Sequence, residues 1–285
     1  MAYGKYFLSE NKPILNISEL RLFAKRALCE DIGLRDITTE LIIPKDRFIR
    51  AKIIARENFL LCGIDLAKEV FRTVDPTLKF QSQLKDGGKV TNKQTLAVIS
   101  GNARSILTAE RVALNLLSLL SGISTKTAKF VKKIQPLKTK IIDTRKTFSG
   151  LRTLQKYAVR IGGGFNHRMR LDEMILIKDN HIKIAGCYFN RLKIPKKVKI
   201  EIEVQNLNEF KKVLQFKPDI IMLDNMKVAD IKKAIAIAHN TVKLEVSGGI
   251  NLFNIRKYAA TGVEMISVGE LTDSVKSVDI SLDII

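Results

Sequence analysis

Between about residues 139 and 269 the chain repeats one pattern. A short apolar run of strand length comes first, and most such runs lead into a stretch with helical spacing. The strand candidates are 139–143, 173–178, 199–204, 219–224, 242–247 and 264–269; the helical stretches are 151–161, 207–215, 227–239 and 252–260. Strands alternating with helices predict βαβ units and a parallel sheet, because a parallel neighbour needs a crossover and a helix supplies it. The strand exits then choose the architecture. They carry Thr144-Arg145-Lys146, Lys178, Glu203, Asp224, Ser247-Gly248-Gly249 and Gly269. A doubly wound sheet would gather such groups at one switch point. Spread over every strand end, they match the C-terminal rim of an α/β barrel.

The earlier residues read differently, as an α+β domain. A helix is expected over 17–29 with Ser18 as its N-cap, strands over 50–57 and 59–63, and a helix over 64–74. Asp86-Gly87-Gly88 and Ser100-Gly101-Asn102 are turn signals, and Asp36-Ile37-Thr38-Thr39 reads as an N-cap turn. A helix over 106–121 has Gly122 as its natural stop.

Composition narrows the function. With 285 residues and 46% hydrophobic side chains, the chain has material for one large or two modest cores, and disorder is excluded. The most apolar run, near 112–120, is interrupted by Asn115 and Ser118 and is too short to span a bilayer. No signal-peptide apolar core follows Met1-Ala2-Tyr3-Gly4-Lys5, so the expected location is cytoplasmic, with no membrane partner. Cys29, Cys62 and Cys187 lack any metal-ligand spacing. The net charge of +20 is dispersed, with no basic tail and no Trp. Nucleic acid is therefore not expected as a partner; the field would instead draw in an anionic substrate.

Three blocks concentrate the chemistry. Thr144-Arg145-Lys146 puts a bidentate carboxylate binder beside a point charge suited to phosphate, although a solvated loop would read the same. Gly162-Gly163-Gly164 lets the backbone carry His167 and Arg168 close to a ligand, or is simply a loose loop. Lys178 points either into the barrel mouth or to solvent, with Asp179, Asn180 and His181 orienting neighbours and capping the next element. Glu203 and Asp224 suit a divalent metal or sugar hydroxyls, or form salt bridges with nearby lysines; Glu201 shares the face of Glu203. The loops at Ser247-Gly248-Gly249 and Val268-Gly269-Glu270 occupy the positions where barrels bind phosphate through backbone N–H groups.

These blocks occur in order with Glu30-Asp31, Asp36-Ile37-Thr38-Thr39, Ala55-Arg56-Glu57, Ala109-Glu110-Arg111, Leu120-Ser121-Gly122, Asp143-Thr144-Arg145-Lys146-Thr147, Leu176-Ile177-Lys178-Asp179-Asn180-His181, Met222-Leu223-Asp224-Asn225, Ser247-Gly248-Gly249-Ile250 and Ser267-Val268-Gly269. In them the chain resembles, nearly end to end, the quinolinate phosphoribosyltransferase family. The resemblance implies an N-terminal α/β sandwich over 1–112, joined again by 273–285, and an open, six-stranded, TIM-like α/β barrel over 113–272. It implies that quinolinate and phosphoribosyl pyrophosphate give nicotinate mononucleotide, pyrophosphate and carbon dioxide in NAD biosynthesis, with Mg2+ and no organic cofactor.

By the same resemblance Arg145, His167, Arg168 and Lys178 hold the two quinolinate carboxylates. Lys146, Glu203 and Asp224 handle the ribose-pyrophosphate and its metal, beside Thr144. Ser247, Gly248, Gly249, Val268, Gly269 and Glu270 cradle the 5′-phosphate. Arg111 enters the site of a partner in a homodimer. A relative associated with molybdenum transport is expected to lack Lys178. Three residues depart from the family pattern: Arg170 and Glu270 replace small residues and Asp273 a histidine. Glu270 adds negative charge near the expected phosphate, so its side chain is expected to point away.

Overall fold

A computed structural model describes residues 15–186 and 198–285. They form two compact units. Of these, one contains 15–126, Arg160–Gly162 and Val275–Ile285; the other contains Thr127–Val159, 163–186 and 198–274. The division falls inside one long helix, so the domain break expected at 112/113 lies within continuous helix.

In the first unit α1 (Ile17–Ile32) is capped by Asn16 rather than Ser18. The Asn16 side chain accepts from Glu19 N at 2.8 Å while the Glu19 carboxylate accepts from Asn16 N, a capping box that fixes the start at the expected residue 17. Asp36 caps α2 (Ile37–Ile42) as expected, accepting from Thr39 N at 3.0 Å. β1 (Phe48–Ala55), β2 (Phe59–Leu60), α3 (Ile64–Val74), β3 (Lys79–Ser82), β4 (Lys89–Val90) and β5 (Thr95–Asn102) follow. Ser100-Gly101-Asn102, expected as a turn, lies in β5: Ser100 pairs with both Arg50 and Lys79, and Gly101 leaves room for Leu78. The expected 59–63 strand keeps only its first two residues, because Asp86 turns its end into a helix start by accepting from Gly63 N and Ile64 N. The strand order is β12-β1-β5-β3, where β12 (Ile280–Ile284) returns from the C-terminus to run antiparallel to β1. α1 packs on α3, whose Leu66, Ala67, Val70 and Phe71 are buried.

α4 (Ala103–Ile134) does not stop at Gly122. A Cβ there would collide with the Lys276 carbonyl, so this glycine serves close packing rather than termination. Among the described helices α4 alone is long and apolar enough, by length and composition, to cross a membrane, and 61% of that stretch is buried within the protein.

The second unit is built on β6 (Lys140–Ile142), β7 (Ile175–Ile177), β8 (Ile200–Val204), β9 (Ile220–Asp224), β10 (Lys243–Ser247) and β11 (Met265–Ser267), with α5 (Arg152–Ile161), α6 (Asp179–Ala185), α7 (Leu207–Leu214), α8 (Val228–Ala238) and α9 (Ile255–Ala259). All six strands are parallel, in the order β6-β11-β10-β9-β8-β7. Strand follows strand around the sheet, and β6 closes beside β11, as in a TIM-like barrel left open between β6 and β7. Ile142, Met174, Ile220 and Met265, with Phe165, form an apolar cluster in this unit. Two residues further along, Thr144, Leu176, Met222 and Ser267 line an open cavity, joined from β10 by Glu245 and Ser247. A side-chain period of two keeps each series on one face.

Candidate active site

The cavity has a volume of about 790 Å3 and draws its walls from every strand exit of the barrel. Thr144, Arg145, Lys146, His167, Arg168 and Lys178 line it together with Glu203, Asp224, Ser247, Gly248, Gly249, Gly269 and Glu270. Two expected residues lie elsewhere. Val268 is fully buried, and its N–H is used by the Ile142 carbonyl at 2.9 Å. Arg111 lies on α4 in the other unit, with its side chain 65% exposed.

The cationic wall begins after β6. Thr144 Oγ1 accepts from Lys146 N, and the Lys146 carbonyl accepts from Thr272 Oγ1 at 2.7 Å. Buried Gln155 on α5 fastens the same loop, accepting from Phe148 N and donating to the Thr272 carbonyl. Gly269 lets the Lys146 side chain pass; a Cβ there would sit 3.4 Å from Lys146 Cδ and 3.0 Å from Asp273 Oδ2.

His167 and Arg168 are placed by a buried polar network. Lys156, 1% exposed on α5, donates to Asp143 Oδ1 and to the His167 carbonyl. Asp143 also accepts from Asn166 Nδ2 and from His167 N. Gly164 permits this turn, since a Cβ would press on Val159 and Thr127 at 2.8 and 2.9 Å. Arg168 N donates to His167 Nδ1 at 2.7 Å, while His167 Nε2 lies 2.8 Å from Glu201 Oε2. Both ring nitrogens are thus engaged within the protein. Burial lowers the His167 pKa, which disfavours the charged ring.

The two arginines stand apart from this pairing. Among the described residues neither Arg145 nor Arg168 forms an ion pair, and the buried Nε of each has no acceptor. Burial lowers the Arg168 pKa, and the Arg145 charge lowers it further. Two neighbouring cations that repel each other, one half-buried and one buried, and form no ion pair are costly unless a ligand supplies the charge.

Across the cavity, buried Glu203 accepts from Lys178 Nζ at 3.0 Å, so Lys178 points into the mouth. Asn225 Nδ2 donates to Asp224 Oδ2. Gly248 holds φ +93°, and a Cβ there would collide with the Asn225 amide. Arg170, one of the departures, is exposed and turned to Asp172 at 3.3 Å. Glu270 and Asp273 both line the cavity.

Sequence reading missed Lys156, Glu245 and the neutral lining residues Leu176 and Met222. Glu245 had a signal: it interrupts Leu244 and Val246 at the position where a strand faces inward. Burial raises the Glu245 pKa to about 8 and that of Glu201 to about 7. Both exceed the ordinary carboxyl value, so the folded state holds these protons more firmly than the unfolded chain. Their stabilisation is complete below the unfolded value and is lost as pH rises through the folded ones. Thermal unfolding across a buffer series is expected to show a midpoint falling from mildly acid pH to about pH 8. Glu245→Gln should flatten that fall; an unchanged slope would contradict the assignment.

Two family models account for nearly the whole chain. The quinolinate phosphoribosyl transferase C-terminal domain matches residues 123–283, and the N-terminal domain of the same family matches 36–121. The chain belongs to the quinolinate phosphoribosyltransferase family. Among curated relatives of this family, a probable nicotinate-nucleotide pyrophosphorylase [carboxylating] of Methanocaldococcus jannaschii is 43% identical, over 92% of this chain and 95% of its own. The nicotinate-nucleotide pyrophosphorylase [carboxylating] of Mycobacterium leprae is 40% identical, over 91% and 95%. The solved nicotinate-nucleotide pyrophosphorylase from Francisella tularensis superposes with a TM-score of 0.90 at 42% identity, covering 97% of this chain and 100% of that one. The quinolinate phosphoribosyltransferase fold expected from the sequence, two α/β domains with a six-stranded parallel sheet in the second, is therefore the fold of this chain.

Proposed function

We propose that this chain transfers the phosphoribosyl group of phosphoribosyl pyrophosphate to quinolinate with loss of carbon dioxide. The products are nicotinate mononucleotide and pyrophosphate, a step of NAD biosynthesis. One observation carries the reading: among the described residues Arg145 and Arg168 form no ion pair, in a cavity that Glu203 and Asp224 also line. A dicarboxylate supplies the missing charges, and Lys178 adds a third cation. His167 serves that side by holding Arg168, since its ring nitrogens are engaged.

The chemistry asks for charge rather than a nucleophile. The pyridine nitrogen attacks the anomeric carbon with its own lone pair, so no general base is needed. The leaving pyrophosphate carries away negative charge, which Lys146 is placed to offset. Loss of the 2-carboxylate as carbon dioxide leaves an electron pair on C2 beside the now cationic ring nitrogen, and a proton from solvent taken up at C2 completes nicotinate mononucleotide. Glu203 and Asp224 offer the oxygen donors that Mg2+ takes, and they sit where the pyrophosphate arrives in this reading. Bound there, Mg2+ would neutralise pyrophosphate charge. The loops at Ser247-Gly248-Gly249 and Gly269-Glu270 would receive the 5′-phosphate, with Val268 as their buried support.

A homodimer that lends Arg111 to the partner's site is part of this proposal. Two observations support it: Arg111 is exposed, and one turn away Thr108 bonds Asp36, the cap of α2, whose Ile37, Leu41 and Ile42 are exposed apolar side chains. Mixing Arg111→Ala with Lys146→Ala subunits, each inactive alone, should restore one working site per mixed dimer. No recovery would count against the shared site. A cytoplasmic setting suits the free thiols Cys29 and Cys62. Incubation with quinolinate, phosphoribosyl pyrophosphate and Mg2+ should yield nicotinate mononucleotide; a folded protein giving none would overturn the assignment.

A further inference from the structure

Below the cationic wall, three carboxylate oxygens lack a well-formed hydrogen bond, Glu201 Oε1 and both oxygens of Glu245, with the Ser267 hydroxyl as a nearby donor to Glu245. Both side chains are fully buried. Two ionised carboxylates in such a place would repel each other and leave their lone pairs unsatisfied. One proton between them removes the repulsion and engages one oxygen of each, because a carboxyl O–H donates to a carboxylate in a strong, short bond. The demand of His167 fits this arrangement. Its Nδ1 accepts from Arg168 N at 2.7 Å, which leaves the proton on Nε2, 2.8 Å from Glu201 Oε2 and 3.7 Å from Glu245 Oε2. The ring therefore needs one charged acceptor beneath it, not two.

We propose that Glu245 is a positioning residue for the dicarboxylate substrate: as the carboxyl member of a hydrogen-bonded Glu245–Glu201 pair, it holds Glu201 as acceptor for His167 Nε2–H and so fixes His167 and the adjoining Arg168 at the cavity. The inference rests on reading this cavity as the quinolinate site. The geometry orders the two acids, since Glu201 Oε2 lies 2.8 Å from His167 Nε2 and Glu245 Oε2 lies 3.7 Å from it. The chain from Glu245 to Arg168 passes through side chains that a one-residue view of the rim would treat as filler. A metal ion is the competing occupant, because ligand atoms of His167, Glu201 and Glu245 lie within 4.8 Å of one another.

Three measurements test it on the purified protein. Infrared difference spectra at neutral pH should show the carbonyl stretch of a protonated carboxylic acid in the wild type and lose it in Glu245→Gln. In steady-state assays Glu245→Leu should raise the KM for quinolinate about tenfold or more, the loss of a charge-assisted contact, while the KM for phosphoribosyl pyrophosphate stays unchanged. Glu245→Gln, whose amide N–H can replace the O–H, should recover most of that affinity. A missing carboxylic-acid band, a Gln variant as impaired as Leu, or a stoichiometric metal that Glu245→Gln loses would each overturn the proposal. If the Leu variant does not fold, the infrared band and the Gln variant still decide. Wild-type product formation tests the functional reading separately: an inactive wild type that shows the band removes the substrate, not the pair.

Discussion

Lys156→Met is expected to destabilise the barrel unit by about 3–5 kcal/mol, the cost of leaving one partner of a buried ion pair alone. Lys156 and Asp143 are 1% and 0% exposed. Removing the ammonium strands the carboxylate among the Asn166 side chain and the His167 N–H, which cannot neutralise it. Burial already lowers the Lys156 pKa, so the pair survives on its contacts rather than on solvation. The loss should not be confined to stability. Lys156 also holds the His167 carbonyl, and the following residue is Arg168. The KM for quinolinate should therefore rise even at temperatures where the variant is folded. Adding Asp143→Leu should recover much of the stability, because an apolar pair of similar volume replaces the stranded charge. Denaturant unfolding of the single and double variants checks this; a Lys156→Met protein as stable as the wild type would show that the pair is not ionic.

The second large effect concerns the unpaired cations. Arg145→Ala should raise the KM for quinolinate about 10- to 100-fold, the range expected for a lost charge-assisted pair of about 1.5–3 kcal/mol. Arg145→Lys should not restore it, because an ammonium lacks the planar fork that grips a carboxylate at two points. Without ligand the sign should reverse. Arg145 and Arg168 repel each other, so removing one should raise the unfolding midpoint of the free protein. Quinolinate should then stabilise the wild type strongly and the variant little. Calorimetric titration and thermal unfolding, with and without quinolinate, measure both halves. A variant that loses stability and keeps its KM would refute the role given to Arg145.

Much of this site was legible before the fold was known, and the reason is geometric. A parallel barrel delivers every strand exit to one rim, so residues far apart in sequence, such as Lys146 and Asp224, converge once the alternation is read correctly. Lys178 was open between mouth and solvent; Glu203, one strand over, settles it through a contact that sequence alone does not encode. The pairing of Glu201 with Glu245 was hidden because only the fold sets their strands, β8 and β10, on either side of β9 with both side chains inward. Lys156 was hidden for the opposite reason: a lysine in an amphipathic helix is normally surface, and only its partner Asp143 makes burial tolerable. Gly122 misled by type. A glycine signals a helix stop when its backbone freedom is used, whereas here its missing side chain is what the structure needs.

The central claim is that one cavity joins the two substrates and expels a carboxylate. Quinolinate carrying labelled carbon in its 2-carboxylate tests this most directly. With phosphoribosyl pyrophosphate and Mg2+, label should leave as carbon dioxide in equal amount to the nicotinate mononucleotide and pyrophosphate formed, and none should leave when phosphoribosyl pyrophosphate is omitted. Label retained in the product, or nicotinate used in preference to quinolinate, would contradict the account.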